Sequence, residues 1–336
     1  MVHAAIRQWS RGWRPCVLAT SLCCAISNPS IAQEYPSKPV TLLVGFAPGS
    51  STDSIGRLTA QFLSEKFKVP VLVDNKPGGG TLISVQALTK SARDGYTLKL
   101  GVASTLVQNP GVQKNLPYDP GVDFTAVVGV ARMSGVLAVR NQLPVSSVRE
   151  LVDYLKKNPR KETYGSSGIG AAGHLNGEYF QFRTGTEMIH VPYKGANLVT
   201  TDLVAERLDL AITTGAASLP FVRAGKLKAL AVTTTARLRA APEIPTLAEA
   251  GFPGMEALDP FTFYGIVGPA GLAAVPVAKV NQAINEILKN AEFVTKLGNL
   301  DYEPNAPNTP AEFSRFLSGQ LAVWRDLGSR LQIETQ

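Results

Sequence analysis

Of the 336 residues only three are cysteine, Cys16, Cys23 and Cys24, and all of them fall among the first 24 positions. The rest of the chain therefore has no thiol, which excludes disulfides, thiolate catalysis and cysteine-ligated metal from its body. Histidine is equally scarce: beyond His3 there are only His174 and His190. No apolar run approaches the roughly 18 residues that would cross a bilayer. The longest candidate, "CVLATSLCCAI" at residues 16–26, follows Arg7, Arg11 and Arg14 and precedes Ser30-Ile31-Ala32, a small-x-small cleavage pattern. Residues 1–32 thus read as a secretory signal peptide, with Gln33 as the first mature residue. The residues ahead of Cys23 and Cys24, "ATSL", lack the small residue that precedes a lipidated cysteine, so the exported protein is expected to be soluble. Polycationic character is missing as well. Without the three leader arginines the 33 basic residues fall to 30 against 26 acids, a formal +4. The clusters "LKKNPRK" and "RAGKLK" read as solvated helix ends, and no nucleic-acid partner is expected.

What is present is α/β rhythm. Short β-rich runs, "VTLLVGF", "VPVLVDN" and "YTLKLGV", alternate with helical patterns from about Ser51 and Leu82, the βαβ arrangement of a parallel sheet. After the extended stretch "FTAVVGVARMSGVLAVR" the rhythm returns: helix "SSVRELVDYLKK", a strand near "ETYGSS", a helix near "LNGEYFQFRTG", then "MIHVPY", "TDLVAERL", "DLAITT" and "LKALAVTT". Removing 32 residues from 336 leaves 304, beyond the size at which one core divides into two domains. The strand "FTFYGIV" and two terminal helices must dock back, which predicts domains at 33–131 plus 259–336 and at 132–258. Val277, Val280, Ile284 and Leu288 mark one helical face. Thr309, Pro310 and Glu312 supply a cap, a first-turn proline and a capping-box acid, ahead of Phe313, Leu317, Leu321 and Trp324 at helical spacing. No internal repeat or low-complexity tract is visible.

"YGSSGIGAAGHL", residues 164–175, has the G-x-G-x-x-G spacing of a dinucleotide turn at Gly168, Gly170 and Gly173. Such a turn needs a buried apolar strand before it and an acid ending a second strand. Here the strand is short and polar, and Glu187 precedes "MIHVPY", so no nucleotide site is expected. The alternative is an anion turn, backbone N–H groups exposed where a helix starts. Ser166 and Ser167 are also natural helix caps. "VGFAPGSSTDSIGRL" repeats the design with Pro48, Gly49, Ser50, Ser51 and Thr52, and Ser50 to Asp53 fits a capping box. "NKPGGGTLIS" and "GVAST" follow the second and third strands. All these turns lie at the carboxyl edge where α/β sheets bind ligands.

Enzyme signatures fare poorly. "GSSG" is not the G-x-S-x-G elbow, two histidines show no zinc spacing, and Asp119 and Asp123 sit in a Pro/Gly turn that explains them. No P-loop is present. A solute receptor, an exported hydrolase and a structural envelope protein remain.

The stretches "FAPGSSTDSIGR", "DNKPGGG", "DGYTL", "LPYDP", "YGSSGIGAAGHL", "HVPYKG", "LPFVRAGKLKALAVTT" and "PEIPTLAEAGFPG" run in the order found in one family. On them the chain resembles the Bug family, the substrate-binding proteins of tripartite tricarboxylate transporters. The resemblance implies an α/β, two-domain periplasmic binding protein of the type II-like Venus flytrap kind, with the ligand cleft between domains. It implies a periplasmic, monomeric receptor, without enzyme activity, cofactor or metal, that binds a small dicarboxylate or aromatic carboxylate and serves membrane permease subunits. An exported hydrolase of an organic acid ester and a sensory receptor without transport are the alternatives. The expected grip comes from Phe46, Ala47, Pro48, Gly49, Ser50, Ser51 and Asp53 in the first loop, and from Ser104 and Thr105. Ser166, Ser167, Gly168, Ala171, Ala172, Thr213 and Thr214 complete it from the other unit, with Tyr193, Phe263 and Tyr264 as further walls beside Phe46. Gly49 and Gly168 are expected to let backbone approach the carboxylate, and ligand is expected to close the domains by a hinge. The chain departs from the family pattern where Ser50, Thr81 and Ser84 replace glycines, and it has no tryptophan around "FTFYG".

Overall fold

A computed structural model of the chain describes residues 34–330 other than 114, 239, 256 and 257. The expected signal peptide lies outside the described residues. The described residues from 35 to 330 form one compact unit. Strand β1 (Val40–Val44), helix α1 (Ser51–Phe67), β2 (Val71–Asn75), α2 (Leu82–Thr89) and β3 (Thr97–Val102) make the first βαβαβ series. A π-helical turn at Ser104–Gln108, then α3 (Asn109–Val112) and α4 (Pro120–Asp123), lead to β4 (Phe124–Met133). Ser134 alone separates β4 from β5 (Gly135–Arg140). The second series is α5 (Val148–Lys157), β6 (Thr163–Ser166), α6 (Ala172–Thr184), β7 (Ile189–Pro192), α7 (Ala196–Val204), β8 (Leu210–Thr214), α8 (Gly215–Arg223) and β9 (Leu227–Val232). The chain then returns through β10 (Thr262–Pro269), α9 (Ala274–Ile287), α10 (Ala291–Asn299), β11 (Glu303–Pro304) and α11 (Pro310–Arg330). Three helices follow β10 rather than the two read from sequence, because Asn290 caps α10 and splits the apolar stretch in two: its side chain accepts from the N–H groups of Glu292 and Phe293. Helix α8, unassigned in the sequence, forms despite Pro220 in its interior.

One sheet has the order β11-β4-β10-β3-β1-β2 and the other β7-β6-β8-β5-β9. In both, the first strand of a βαβ series lies between its second and third. The next position is taken by an antiparallel strand that arrives from the other sheet, β10 against β3 and β5 against β8. The fold is therefore a topological repeat with exchanged strands, although no repeat survives in the sequence. The exchange puts the carboxyl ends of the parallel strands β1 and β3, and of β6 and β8, beside the two crossings.

Period-2 alternation divides the core. In β5, Val136 and Ala138 join an apolar cluster with Val199, Leu203 and Leu208, whereas Leu137 and Val139 face the opposite way. In β1, Leu42 and Val44 join a cluster with Ile55, Leu58 and Ile284, and Leu43 faces away. The cluster that takes Leu43, Leu137 and Val139 also takes Tyr164, Leu175, Phe313 and Trp324, so it is continuous between the sheets. Among the described residues no helix is long and apolar enough to cross a membrane.

Candidate ligand-binding site

A cavity of about 280 Å³ lies where the loops of the two sheets meet. From the first sheet come Phe46, Ala47, Pro48, Gly49, Ser50, Ser51 and Thr52, together with Val102, Ser104, Thr262 and Tyr264; Phe261, just ahead of β10, adds an aromatic wall. From the second come Ser167, Ala171 and Ala172, the segment Lys194 to Leu198, Thr214, and Ala216 with Ala217. Four helices, α1, α6, α7 and α8, start at this lining. The first N–H groups of a helix have no intrahelical partner, and its dipole places partial positive charge there. Helices α6, α7 and α8 carry no side-chain cap; the Gly215 N–H at the start of α8 donates to the Ser134 carbonyl at 3.1 Å, which leaves the N–H groups of Ala216 and Ala217 as the donors that α8 turns to the lining. Among the described residues no aspartate or glutamate lines the cavity, and Lys194 is its one cationic side chain. Thr214 is 7 % exposed and its Oγ1 has no hydrogen-bond partner among the described residues.

The first loop is held from below by Asp53. Its Oδ2 accepts from the Gly49 N–H and from Arg57 Nε, both at 2.9 Å, and its Oδ1 from Asn75 Nδ2 at 2.9 Å. Ser50 caps α1 by accepting from the Asp53 N–H. The reciprocal bond of a capping box is displaced by one residue, because Asp53 reaches Gly49 and not Ser50. Burial pushes the Asp53 carboxyl up, but the bonds from Arg57, Gly49 and Asn75 outweigh it and hold the group below its ordinary value. Asp53 thus organises the loop and does not line the cavity. Tyr264 is 2 % exposed and packs edge-on against Tyr302 at 5.4 Å, whose hydroxyl donates to the Ser51 carbonyl at the start of α1.

Seven of the residues singled out from sequence sit elsewhere. Phe263 adjoins Tyr264 in β10 and must face the other way; it packs edge-on against Phe316 at 4.8 Å and lines a separate cavity under α11. Thr105 and Thr213 are likewise turned away from Ser104 and Thr214, and Thr105 Oγ1 pairs with Thr81 Oγ1 at 2.6 Å. Tyr193 donates to Asp202 Oδ2 at 2.9 Å. Gly168 adopts φ +138°, with the Tyr193 carbonyl 3.6 Å from where a Cβ would stand. Its glycine serves the turn rather than the cavity, whereas Gly49, at φ +80°, is on the lining. Lys194 to Leu198, Val102, Phe261, Thr262 and Ala216 with Ala217 join the lining without a sequence expectation for them. The signal for the first group was there: "HVPYKG" is a strand, a glycine and a helix start.

Ser166 and His190 do meet, with His190 Nε2 2.7 Å from Ser166 Oγ. Ser166 is 2 % exposed and its hydroxyl also donates to the Gly168 carbonyl at 3.0 Å. The Ser166 hydroxyl is thus shared between the turn carbonyl and the imidazole, and it lies off the cavity lining. His174 accepts from the Gly170 N–H and stacks on His190 at 4.2 Å, and His190 stacks on Tyr164 at 4.8 Å. Burial pushes both imidazoles down to about 4, so they are neutral supports beneath the α6 turn. Among the described residues no group of three His, Cys, Asp or Glu is placed to hold a metal.

Two α/β sheets that exchange strands and aim helix N-termini into a cavity between them define a solute-binding protein of the periplasmic type. Residues 55–332 match the tripartite tricarboxylate transporter family receptor, and the chain belongs to that family. It is 31 % identical to BugT of Bordetella pertussis over 91 % of this chain and 94 % of that one. A solved R. palustris protein with adipate shares 34 % identity at TM-score 0.80, over 88 % of this chain and 97 % of that one. The periplasmic binding protein BugD shares 28 % identity at TM-score 0.80, over 90 % and 100 %.

Proposed function

We propose that this protein captures a small organic carboxylate in the cavity between its sheets and delivers it to the membrane permease subunits of a tripartite transporter. The observation that carries the reading is a lining with four helix starts, three of them uncapped, and no acidic side chain. Such a lining favours an anion recognised by neutral donors. The adipate bound by the R. palustris relative supports the same chemistry. Ser50, Ser104, Ser167, Thr214, the first N–H groups of α6 and those of Ala216 and Ala217 in α8 grip the carboxylate, and Phe46, Phe261 and Tyr264 enclose an aliphatic or aromatic body. The protein acts as a monomer in the periplasm, after removal of residues 1–32, and binds neither cofactor nor nucleic acid. Residues 33–131 with 259–336 and residues 132–258 act as the two domains that close on ligand. Hydrolysis is disfavoured because the one serine beside a histidine is buried and lies off the cavity.

Each helix N-terminus contributes about 0.3–1 kcal/mol toward an anion, whereas micromolar affinity needs about 8 kcal/mol. Direct hydrogen bonds and apolar enclosure therefore supply most of the affinity. Calorimetry and thermal shift of the mature chain against organic acids, their amides and amines test the reading. At 100 times Kd an acid should add about 2.7 kcal/mol of stability and be recovered unchanged. Amides or amines that bind as tightly as every acid would overturn the carboxylate reading.

A further inference from the structure

The cavity answers one carboxylate with neutral donors inside and leaves a single cation at its edge. Lys194 follows β7 and immediately precedes the first turn of α7. Its side chain is exposed, and among the described residues its ammonium makes no hydrogen bond or salt bridge. The other cationic groups of this region are committed elsewhere: Arg207 pairs with Asp202, which also accepts from Tyr193. Deeper in the lining, Thr214 holds a buried hydroxyl without a partner, at the uncapped start of α8. With the Gly215 N–H bonded to the Ser134 carbonyl, that hydroxyl and the N–H groups of Ala216 and Ala217 are the donors offered to one carboxylate.

Building on the receptor reading above, we propose that Lys194 is the specificity residue that makes this site prefer a ligand with a second anionic group, by pairing with that group at the rim. The first carboxylate sits against those interior donors. A second one on the same small molecule lies either in water or against a lining with alanines at 171, 172, 216 and 217, where an uncompensated charge is costly. Lys194 supplies the compensation. Its ammonium is fully hydrated without ligand, so holding it ready carries no burial penalty, and its four-carbon stem follows ligands of different length.

The test measures affinities of the mature chain for chain-matched pairs, adipate against hexanoate and succinate against butyrate, in wild type, Lys194→Met and Lys194→Arg. Lys194→Met is expected to lower the diacid-to-monoacid affinity ratio about five- to tenfold, and Lys194→Arg to retain most of it. The wild-type ratio should also shrink with added salt, since a rim pair is screened. Melting temperatures without ligand should agree across the three proteins, because Lys194 is exposed and unbonded. A ratio unmoved in Lys194→Met, or both affinities falling together, overturns the role of Lys194 while the receptor reading stands. Failure of every acid to bind wild type would overturn both.

Discussion

Lys99 is the least expected residue in this protein. It stands in β3, 1 % exposed, and its Nζ donates to Ser84 Oγ at 2.5 Å. The Ser84 hydroxyl in turn donates to the Thr81 carbonyl at 2.7 Å. Thr81 takes a left-handed backbone at φ 84°, costly for a β-branched residue, and its hydroxyl pairs with Thr105. Two of the three positions where the family resemblance leads one to expect glycine, 81 and 84, have thus gained hydroxyls that one buried amine and one π-helical turn use. Burial pushes the Lys99 amine down to about 7 from 10.5. Between those values the unfolded chain holds a proton that the folded chain has released, so Lys99 makes stability rise with pH across the window and contributes least below it. Lys99→Met should stabilise the fold at pH 7 by about 1–4 kcal/mol and remove that slope. Urea unfolding of both proteins from pH 6 to 10 reads the outcome, and an equal slope in the variant would refute it.

Among elements, α11 shows what local signals can do. Glu312 Oε2 accepts from the Thr309 N–H at 2.7 Å and the Glu312 N–H donates to Thr309 Oγ1 at 3.2 Å, a complete capping box. Phe313, Leu321 and Trp324 are buried at 3 %, 8 % and 2 %, as their spacing predicts. Thr309→Ala should cost about 1 kcal/mol, read as a lower urea midpoint with unchanged slope; no change would mean that packing alone holds the helix start. The opposite case is α8. Its start carries no side-chain cap and its interior holds Pro220, so nothing local announces it. Burial of Ala217, Ser218 and Leu219 holds it.

For the molecule as a whole, the two crossings lie side by side. The Thr233 N–H donates to the Gly135 carbonyl at 2.9 Å, and the Gly135 N–H to Thr233 Oγ1 at 3.0 Å. A Cβ at Gly135 would stand 2.6 Å from the Phe261 ring, so glycine is required where both strands pass. This is the place for a hinge, and Phe261 links it to the cavity lining. The apolar cluster shared by both sheets keeps the halves joined, so the closure proposed above is expected to cover only a limited range. Small-angle scattering at ligand saturation should show a smaller radius of gyration than without ligand. An unchanged radius in a protein shown open without ligand would overturn closure and leave the binding site untouched.

The sequence by itself determined the alternation of strands and helices, the export leader as an expectation, the capped start of α11 and the glycine turns at strand ends. Each rests on period, cap or turn chemistry that acts within a few residues. It carried the family too, through short stretches in a fixed order. Only the tertiary structure decided which residue of each neighbouring pair faces the cavity: Tyr264 rather than Phe263, Ser104 rather than Thr105, Thr214 rather than Thr213. A one-residue shift reverses the face of a strand, and composition does not show which face the other sheet will meet. The buried Lys99, the pairing of Ser166 with His190 and the placement of Lys194 at the rim follow from contacts across β1, β3, β6 and β7. Those contacts exist only after strands far apart in the chain have paired.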